Sequence, residues 1–282
     1  MKDSPIKNPT KINENKPITI LVTGANGQLG KTIEELFSEN DIGCDFTFIT
    51  KNQLDITDEE IVKTFFINNK FDYCINCAAY TNVEQAEKTP EIAYKINANA
   101  VRILAETCKE TNTVFIHIST DYVFDGEKKE PYTNEDLPNP INEYGKSKLL
   151  GEKYIQEILK RYFIIRTSWL YSKKYGKNFY KTIQEKAQKE KELLVTTQEL
   201  GCPTNTVNLA QYIIDLIWQN RKNFGIHHFC DGQVMTRYEF AKQIINENDM
   251  LNSIKLVESN NYHTFVKRPR NSVLMNNLPL KT

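Results

Sequence analysis

The chain has 282 residues, of which 40% are hydrophobic and 26% are charged, so it can form one large core or two smaller ones. Its formal net charge of +0 excludes a general field that would attract nucleic acid or an anionic membrane surface. No apolar run approaches the roughly 18 residues that a membrane-spanning helix needs. We therefore expect a globular cytoplasmic protein whose partners include neither nucleic acid nor a membrane.

The first residues differ in character from the rest of the chain. Residues 1–17 are polar, rich in lysine and asparagine, and lack the apolar segment of a secretory signal. We interpret them as a flexible tail. Regular alternation of strand and helix patterns starts at Ile18 and weakens beyond Trp169. The sequence therefore predicts an NAD(P)-binding domain over 18–172 and a mainly substrate-binding region over 173–282, with some elements returning to the first domain.

The six cysteines are too few and too scattered for a disulfide scaffold. Cys74 and Cys77 have the CxxC spacing, but no second CxxC follows, and residues three apart on a strand face opposite ways. His227 and His228 are adjacent on another predicted strand and diverge for the same reason. We therefore predict buried packing for these residues and no metal site.

Short apolar strands alternate with amphipathic helices in the first half, which is the pattern of βαβ units on a parallel sheet. The predicted strands are 18–22, 45–49, 73–76, 114–119 and 163–166. The first helix carries on one face Ile33, Leu36 and Phe37. Thr57 and Glu60 predict a capping box for a second helix, whose core face includes Ile61, Phe65 and Phe66.

Thr89 and Pro90 predict the start of a long third helix, with proline at the first helical position where its missing N–H is harmless. Later helices are predicted over 179–190 and 209–218, and strands over 193–197 and 225–229. Thr236 and Glu239 form a second capping box for a helix ending near Asn246, followed by loop and short pieces over 257–282. The fold class is α/β, a Rossmann-like doubly wound parallel sheet with a smaller C-terminal substrate-binding region.

A glycine turn with the spacing GxxGxxG, at Gly24, Gly27 and Gly30, directly follows the first strand and opens a helix. Glycines let the backbone approach a pyrophosphate, and the free amides at a helix start bind its charge. An ordinary glycine turn is the alternative. None of Thr50, Lys51 and Asn52, at the end of the second strand, is acidic. An acidic residue there would bind the ribose of NAD, so we favour NADPH, with NADH as the alternative. Lys51 is equally well interpreted as a solvated surface lysine.

Ketone reduction needs hydride delivery to carbon and proton delivery to oxygen from a positioned acid. Tyr144 and Lys148 are one helical turn apart and share a helix face. An ammonium about 4 Å from the phenol, at an effective dielectric of about 20, favours phenolate by roughly 4 kcal/mol, or about three pKa units. We therefore predict Tyr144 as the acid, with its pKa brought near neutrality by Lys148. Thr120, with Ser119 as a substitute, would polarise the carbonyl. The alternative is that Tyr144 and Lys148 lie on an exposed helix.

An ordered series of segments from about Ile18 to Leu278 resembles the dTDP-4-dehydrorhamnose reductase family of extended short-chain dehydrogenases. The segments are TGANGQLG at 23–30, AAYTNVE at 78–84, STDYVFDG at 119–126, YGKSK at 144–148, RTSWLY at 166–171, GCPT at 201–204 and RPRNS at 268–272. The resemblance implies reduction of the 4-keto group of dTDP-4-dehydro-L-rhamnose to dTDP-L-rhamnose, for a cell-surface polysaccharide.

The resemblance also implies which residues contact each ligand. Cofactor contacts are expected at Gly24, Asn26, Gly27, Gln28, Leu29, Gly30, Lys51, Asp55, Ile56, Cys77, Ala78, Ala79, Asn97, Tyr144 and Lys148. Substrate contacts are expected at Thr81, Val83, Glu84, Thr120, Asp121, Trp169, Asn178 and Arg268. The Arg268 guanidinium would bind the nucleotide diphosphate through paired hydrogen bonds. Without the family, Trp169 is as well explained by core packing, and Arg268 by a basic loop.

Some members of the family dimerise around a metal held by carboxylates, where this chain has Lys31-Thr32 and Asn205-Thr206. We therefore expect no metal, and a monomer or weak homodimer. Two other functions remain open. One is a sugar-nucleotide epimerase or dehydratase of the same superfamily, and the other is a non-catalytic regulatory subunit that retains the NADP-binding pocket.

Overall fold

The computed structural model describes residues 16–38, 43–250, 254–260 and 265–276. The predicted tail over 1–17 lies almost wholly outside these residues. The strands, in chain order, are β1 (Ile18–Thr23), β2 (Cys44–Ile49), β3 (Tyr73–Asn76), β4 (Val114–Thr120), β5 (Tyr162–Thr167), β6 (Leu170–Tyr171), β7 (Glu192–Val195), β8 (Leu200–Gly201), β9 (Thr204–Asn205), β10 (Gly225–His228), β11 (Met235–Thr236) and β12 (Lys255–Glu258).

The α-helices are α1 (Gln28–Phe37), α2 (Glu59–Asn68), α3 (Val83–Lys88), α4 (Pro90–Tyr94), α5 (Ala100–Glu110), α6 (Glu143–Ile158), α7 (Phe179–Lys189), α8 (Thr206–Trp218) and α9 (Arg237–Glu247). A π-helical segment joins α4 to α5 at Lys95–Asn99, and a 3₁₀ turn follows β4 at Asp121–Val123. Within the described part of the chain, no helix is both long and apolar enough to cross a bilayer.

The main sheet has six strands in the order β2, β1, β3, β4, β5, β10, and every neighbouring pair is parallel. The chain moves outwards from β1 in both directions, so the strand order reverses between β1 and β3. In register, Thr23 of β1 lies beside Asn76 of β3, which lies beside His117 of β4. The predicted Rossmann-like α/β fold is confirmed.

Helices cover both faces of the sheet. One buried cluster joins the sheet to α2, α5 and α6, with Phe66, Leu104 and Ile155 among its members. A second joins it to α1 and α8, with Ile33 and Ile213 among its members. Parallel sheets are stable when both faces are covered in this way. The apolar pattern of α1 is thus confirmed by the burial of its core face.

The start of α2 differs from the prediction. Asp58 is the N-cap, and its carboxylate accepts a hydrogen bond from the Ile61 amide at 3.1 Å. The Thr57 hydroxyl instead donates to Asp55 at 2.8 Å, so the predicted capping box is wrong. The sheet meets the face carrying Val62 and Phe66, whereas Ile61 is 49% exposed. Successive helical residues point about 100° apart, which separates Ile61 from its buried neighbour.

The predicted long helix after Thr89 is interrupted. Pro90 occupies the first turn as expected, but the Thr89 hydroxyl donates to the Gln85 carbonyl and makes no cap. The π segment that follows shifts the helical register and buries Asn97. Hydrophobic periodicity does not reveal such an insertion, because apolar residues continue on both sides of it.

A smaller layer follows β6. Its apolar cluster is formed by α7, α9 and the strands β7 and β12, and includes Ile183, Leu193 and Phe240. The capping box of α9 is confirmed, since Thr236 and Glu239 exchange hydrogen bonds with each other's backbone amides. The strand β12 begins just before the segment predicted as loop. Between these elements the chain returns to the main sheet through α8 and β10.

Candidate active site

Two adjoining hollows lie beyond the carboxyl ends of the sheet strands. The smaller has a volume of about 260 Å³ and the larger about 560 Å³. Gly27, Cys77 and Ala79 line both. The reversal of strand order between β1 and β3 opens this crevice, which is the usual ligand position on an open parallel sheet.

The glycine turn after β1 forms one wall of the smaller hollow. Gly24 has φ of +68°, and a Cβ placed on it would lie 2.5 Å from the Ala78 backbone nitrogen. Only glycine therefore fits. Gly27 caps α1 without a side-chain hydrogen bond, so the first amides of the helix have no side-chain partner there. This backbone cradle is suited to a phosphate group.

The far end of the smaller hollow is built from the loop after β2. Lys51, Asp55 and Ile56 line it, together with Asn26 and Ala78. The Lys51 ammonium lies 4.0 Å from the Asp55 carboxylate, and its side chain is 77% exposed. Hydrogen bonding by the Thr57 amide lowers the pKa of Asp55 below its usual value. Lys51 thus provides an exposed positive charge at the place predicted to bind a ribose phosphate.

The predicted catalytic residues converge in the larger hollow. Thr120 ends β4, while Tyr144 and Lys148 lie in the first turns of α6, and all three line the hollow. A Cβ on Gly145 would lie 2.1 Å from the Tyr122 carbonyl oxygen, so this glycine lets α6 approach the turn after β4. The close approach brings the phenol of Tyr144 beside the end of β4.

The predicted acidification of Tyr144 is wrong for this structure. Burial raises the pKa of the Tyr144 phenol well above its ordinary value, and a hydrogen bond with Thr120 only partly opposes this. The Lys148 amine is directed elsewhere: its Nζ lies 2.6 Å from the Ile118 carbonyl and 3.1 Å from Nε2 of His117. Burial lowers the pKa of Lys148 to about 8. Shared helical spacing therefore does not suffice to make the pair interact directly. At neutral pH the phenol keeps its proton.

Thr120 is part of a hydrogen-bonded turn. Its hydroxyl donates to the Asp121 carboxylate at 3.0 Å and accepts from the Tyr122 amide at 3.1 Å. The other Asp121 oxygen accepts from Ser168 at 3.0 Å, and burial raises the pKa of Asp121. The Thr120 hydroxyl must rotate away from Asp121 before it can donate to a ligand.

An aromatic wall closes the far side of the larger hollow. Trp169 has φ of 46°, a rare conformation for a bulky residue. The Arg237 guanidinium lies 3.6 Å from the centroid of the Trp169 ring and 5.0 Å from that of Phe179. Arg237 Nε donates to Glu199 at 3.2 Å. The wall combines a flat apolar surface with a planar cation.

Sequence reasoning missed Arg237. The capping box predicted that a helix begins there, but it did not predict that this helix start faces the hollow. The only signal available was the position of a lone arginine at the first residue of a helix, and that position is common on surfaces.

Arg268 and Glu84 are placed differently from the prediction. An Arg268 Nη donates to the Glu84 carboxylate at 2.6 Å, and neither residue lines the hollows. The other Nη of Arg268 is buried without a partner among the described residues. Thr81 and Val83, which were predicted with Glu84, do line the larger hollow. The direct substrate contacts of Arg268 and Glu84 stay a prediction.

Asn97 also lies outside both hollows. Its side chain is fully buried and accepts from the Tyr80 amide at 2.8 Å, while its Nδ2 donates to the Tyr80 carbonyl and to Ser147. Asn97 thus ties the loop after β3 to α6. It supports residues that line the site, and its contact with the cofactor stays a prediction.

Asn178 joins the two layers of the molecule. Its Nδ2 donates to the Gln28 side-chain oxygen at 3.0 Å, and its Oδ1 caps α7. The Gln28 amide donates in turn to the Leu170 carbonyl at 3.1 Å. Gln28, Leu29 and Asn178 all line the larger hollow. The glycine turn and the smaller layer are therefore held together across the site.

The positions at which the family resemblance raised a metal lack carboxylates. Thr32 and Thr206 face each other there, and their hydroxyl oxygens are 2.9 Å apart in a buried hydrogen bond. A pair of hydroxyls is a poor ligand set for a divalent cation, which favours carboxylates. Among the residues that the structure describes, no cluster of histidine, cysteine, aspartate and glutamate could hold an ion.

Comparisons with known proteins identify the family. The model of the RmlD substrate binding domain matches residues 18–281. The chain belongs to this family. The dTDP-4-dehydrorhamnose reductase of Aggregatibacter actinomycetemcomitans is 36% identical over 269 residues, which cover 90% of each chain. The predicted resemblance to the dTDP-4-dehydrorhamnose reductase (RmlD) family is thus confirmed.

Solved structures of RmlD relatives have the same fold. A dTDP-4-dehydrorhamnose reductase from Clostridium acetobutylicum is 38% identical with a TM-score of 0.87, and the match covers 92% of this chain and 90% of that one. The enzyme from Bacillus anthracis, solved in complex with NADP, is 36% identical with a TM-score of 0.87. That match covers 93% of this chain and 91% of the other.

Proposed function

We propose that this chain is an NAD(P)H-dependent reductase that converts dTDP-4-dehydro-L-rhamnose to dTDP-L-rhamnose for polysaccharide biosynthesis. One observation carries the proposal: Thr120, Tyr144 and Lys148 line a hollow adjoining a glycine turn, in a chain of the RmlD family. Each of these features alone is common. Their convergence in one crevice is what a carbonyl reductase requires.

The smaller hollow fits a dinucleotide. Gly24 and the amides of α1 would hold the pyrophosphate, and Lys51 would hold a 2′-phosphate, which supports NADPH over NADH. The cradle that a Cβ on Gly24 would fill supports this fit. When bound, NADPH supplies the hydride for the carbonyl carbon.

Tyr144 is the proton donor in this proposal. Its raised pKa keeps the phenol protonated at neutral pH, which is the form needed to donate to the carbonyl oxygen. As the proton leaves, donation by the Thr120 hydroxyl favours the phenolate, once that hydroxyl has rotated away from Asp121. Lys148 lies on the same helix face and completes the polar end of the hollow.

The aromatic wall is suited to the sugar nucleotide. The Trp169 ring presents a flat apolar surface to a deoxy sugar, and the planar guanidinium of Arg237 matches a diphosphate. We assign Arg237 this role, which the sequence had suggested for Arg268. Arg237 lines the larger hollow, whereas Arg268 does not.

A single assay tests the function and its alternatives. The protein is incubated with dTDP-4-dehydro-6-deoxyglucose, with and without the epimerase that precedes this reaction, and the absorbance of NADPH or NADH is followed. Net oxidation that depends on the epimerase supports the proposal. An epimerase or dehydratase would leave the cofactor unchanged overall, and a regulatory subunit would bind NADPH without turnover. The oligomeric state and the cytoplasmic location stay predictions.

A further inference from the structure

A buried chain of hydrogen bonds runs beneath Lys148. The Thr23 hydroxyl lies 2.7 Å from Asn76 Oδ1, Asn76 Nδ2 lies 3.1 Å from His117 Nδ1, and His117 Nε2 lies 3.1 Å from Lys148 Nζ. None of the four residues is more than 2% exposed. Since water has no access to compensate a mismatch, each donor in this chain must meet an acceptor.

A backbone amide sets the direction of these hydrogen bonds. The Ala78 amide lies 3.1 Å from Asn76 Oδ1, and because a backbone N–H can only donate, this atom must be the oxygen. The Asn76 NH₂ group therefore faces His117 and donates to Nδ1. An imidazole nitrogen that accepts carries no proton, so the ring proton of neutral His117 is on Nε2. Burial lowers the pKa of His117 well below its ordinary value, which keeps the ring neutral.

The proton on Nε2 points at the Lys148 amine. An ammonium has three donors and no acceptor, so a charged Lys148 would place two donors against each other. An uncharged amine has a lone pair that can accept from Nε2–H. Its own hydrogens remain free for the Ile118 carbonyl at 2.6 Å.

We propose that His117 is a positioning residue that presents a hydrogen-bond donor to Lys148 and so disfavours protonation of its amine. The inference rests on the proposed function only in placing Lys148 in the catalytic hollow. Another acceptor that reaches the Lys148 nitrogen, such as a ligand hydroxyl, favours its protonated form. The charge in the hollow is thus coupled to ligand binding.

The surrounding charges do not reverse this effect. Glu152, one turn along α6, raises the pKa of Lys148, but its carboxylate is engaged by Arg166 at 2.6 Å. Tyr144 is neutral at pH 7 because burial raises its pKa, and the Asp121 carboxylate is engaged by hydroxyl groups. Burial lowers the pKa of Lys148 in the same direction as the donor from His117 does.

Nitrogen-15 NMR of histidine side chains reads the tautomer directly, and the protein carries its own references. His227 Nε2 faces the Asn223 carbonyl at 2.8 Å and must be protonated, whereas His228 Nδ1 faces the Tyr132 carbonyl at 3.1 Å and must be protonated there. We expect His117 to match His227. A match to His228, or a charged ring, would overturn the proposal. In His117→Gln the His117 signals disappear, which assigns them. The glutamine side chain still offers one acceptor and one donor, as the proposed His117 tautomer does.

Competitive acetylation with trace acetic anhydride, read by peptide mass spectrometry from neutral to alkaline pH, measures the titration of Lys148. We expect a midpoint at or below about 8 in the wild type. A midpoint near the ordinary lysine value of about 10.4 would overturn the proposal. Neither readout depends on turnover, so failure of the proposed function is separable from failure of this inference.

Two variants test the coupling. Asn76→Asp replaces the donor facing Nδ1 with an acceptor, so we expect the tautomer to reverse and the Lys148 midpoint to rise by about one pH unit or more. Thr23→Val removes a hydroxyl from the same chain but leaves the Ala78 amide on the Asn76 oxygen, so both readouts should match the wild type. A reversed tautomer with an unchanged Lys148 midpoint would show that His117 does not control the amine.

Discussion

The Arg237 guanidinium is stacked 3.6 Å from the centroid of the Trp169 ring, at the wall of the hollow that also contains Tyr144. Glu199 fixes one edge of the guanidinium through Nε at 3.2 Å. Trp169 is itself held in a left-handed backbone conformation. The pair is therefore a preformed surface, in which a cation and an aromatic ring are presented together.

Loss of the Arg237 cation should weaken substrate binding more than it slows the chemical step. For Arg237→Ala we expect KM for the sugar nucleotide to rise about tenfold or more, since hydrogen bonds to charged groups contribute roughly 1.5–3 kcal/mol. Arg237→Lys keeps the charge without the planar fork and should be intermediate. Steady-state kinetics measure the effect. Arg102→Ala, which removes a surface partner of Glu106, is the control and should leave KM unchanged. An unchanged KM in Arg237→Ala would contradict the assignment.

Two glycines share a backbone conformation but differ in how closely their neighbours approach. Comparing their alanine variants separates backbone strain from steric clash. Gly24 and Gly43 have φ of +68° and +69°, but only Gly24 has close neighbours that a Cβ would meet. We expect Gly43→Ala to lose about 1–2 kcal/mol of stability, because alanine disfavours this conformation. Gly24→Ala should lose more, because its Cβ would also meet the Ala78 backbone. Only Gly24→Ala should also lose NADPH affinity, measured by fluorescence titration. Equal NADPH affinity in the two variants would argue against the phosphate cradle.

The charge of Lys51 should decide between the two nicotinamide cofactors. For Lys51→Ala we expect the ratio of kcat/KM with NADPH to that with NADH to fall about tenfold, which corresponds to about 1.4 kcal/mol. Lys63→Ala, which removes an exposed lysine paired with Glu59, should leave the ratio as in the wild type. If Lys51→Ala keeps the wild-type ratio, Lys51 is a surface lysine without a role in cofactor choice.

A buried ion pair holds α6 to the sheet. Glu152 and Arg166 are at most 1% exposed, and their closest atoms are 2.6 Å apart. Glu152→Gln leaves the Arg166 charge buried without its counter-ion, so we expect a loss of about 3–5 kcal/mol in the free energy of unfolding. Glu106→Gln breaks the exposed pair with Arg102 and should cost about 0.5 kcal/mol or less. Urea denaturation compares them. Equal losses would contradict the importance of the buried pair.

Much of the fold could be predicted because it depends on local pattern. The alternation of apolar strands with amphipathic helices predicted the parallel sheet, and the capping box at Thr236 predicted the start of α9. Hydrophobic periodicity did not predict the π segment containing Asn97, since its helical hydrogen bonds change without a change in composition.

The candidate site was predictable where a motif carries the chemistry. The glycine turn, Thr120, Tyr144 and Lys148 occur in recognisable order and do line adjoining hollows. The pairing of Arg268 with Glu84 was not predictable, because the two residues are 184 positions apart and meet only through tertiary packing. The direction of the Lys148 amine was likewise set by His117 and the Ile118 carbonyl, which belong to β4.

The central claim is that the phenol of Tyr144 donates the proton in ketone reduction, and kcat of Tyr144→Phe tests it most directly. We expect kcat for reduction of the 4-keto sugar nucleotide to fall about 10²–10⁴-fold, with NADPH affinity and thermal stability retained. Tyr154→Phe, a half-buried tyrosine on the same helix, is the matched control and should retain wild-type kcat. A folded Tyr144→Phe protein that binds NADPH and keeps the wild-type kcat would contradict the account.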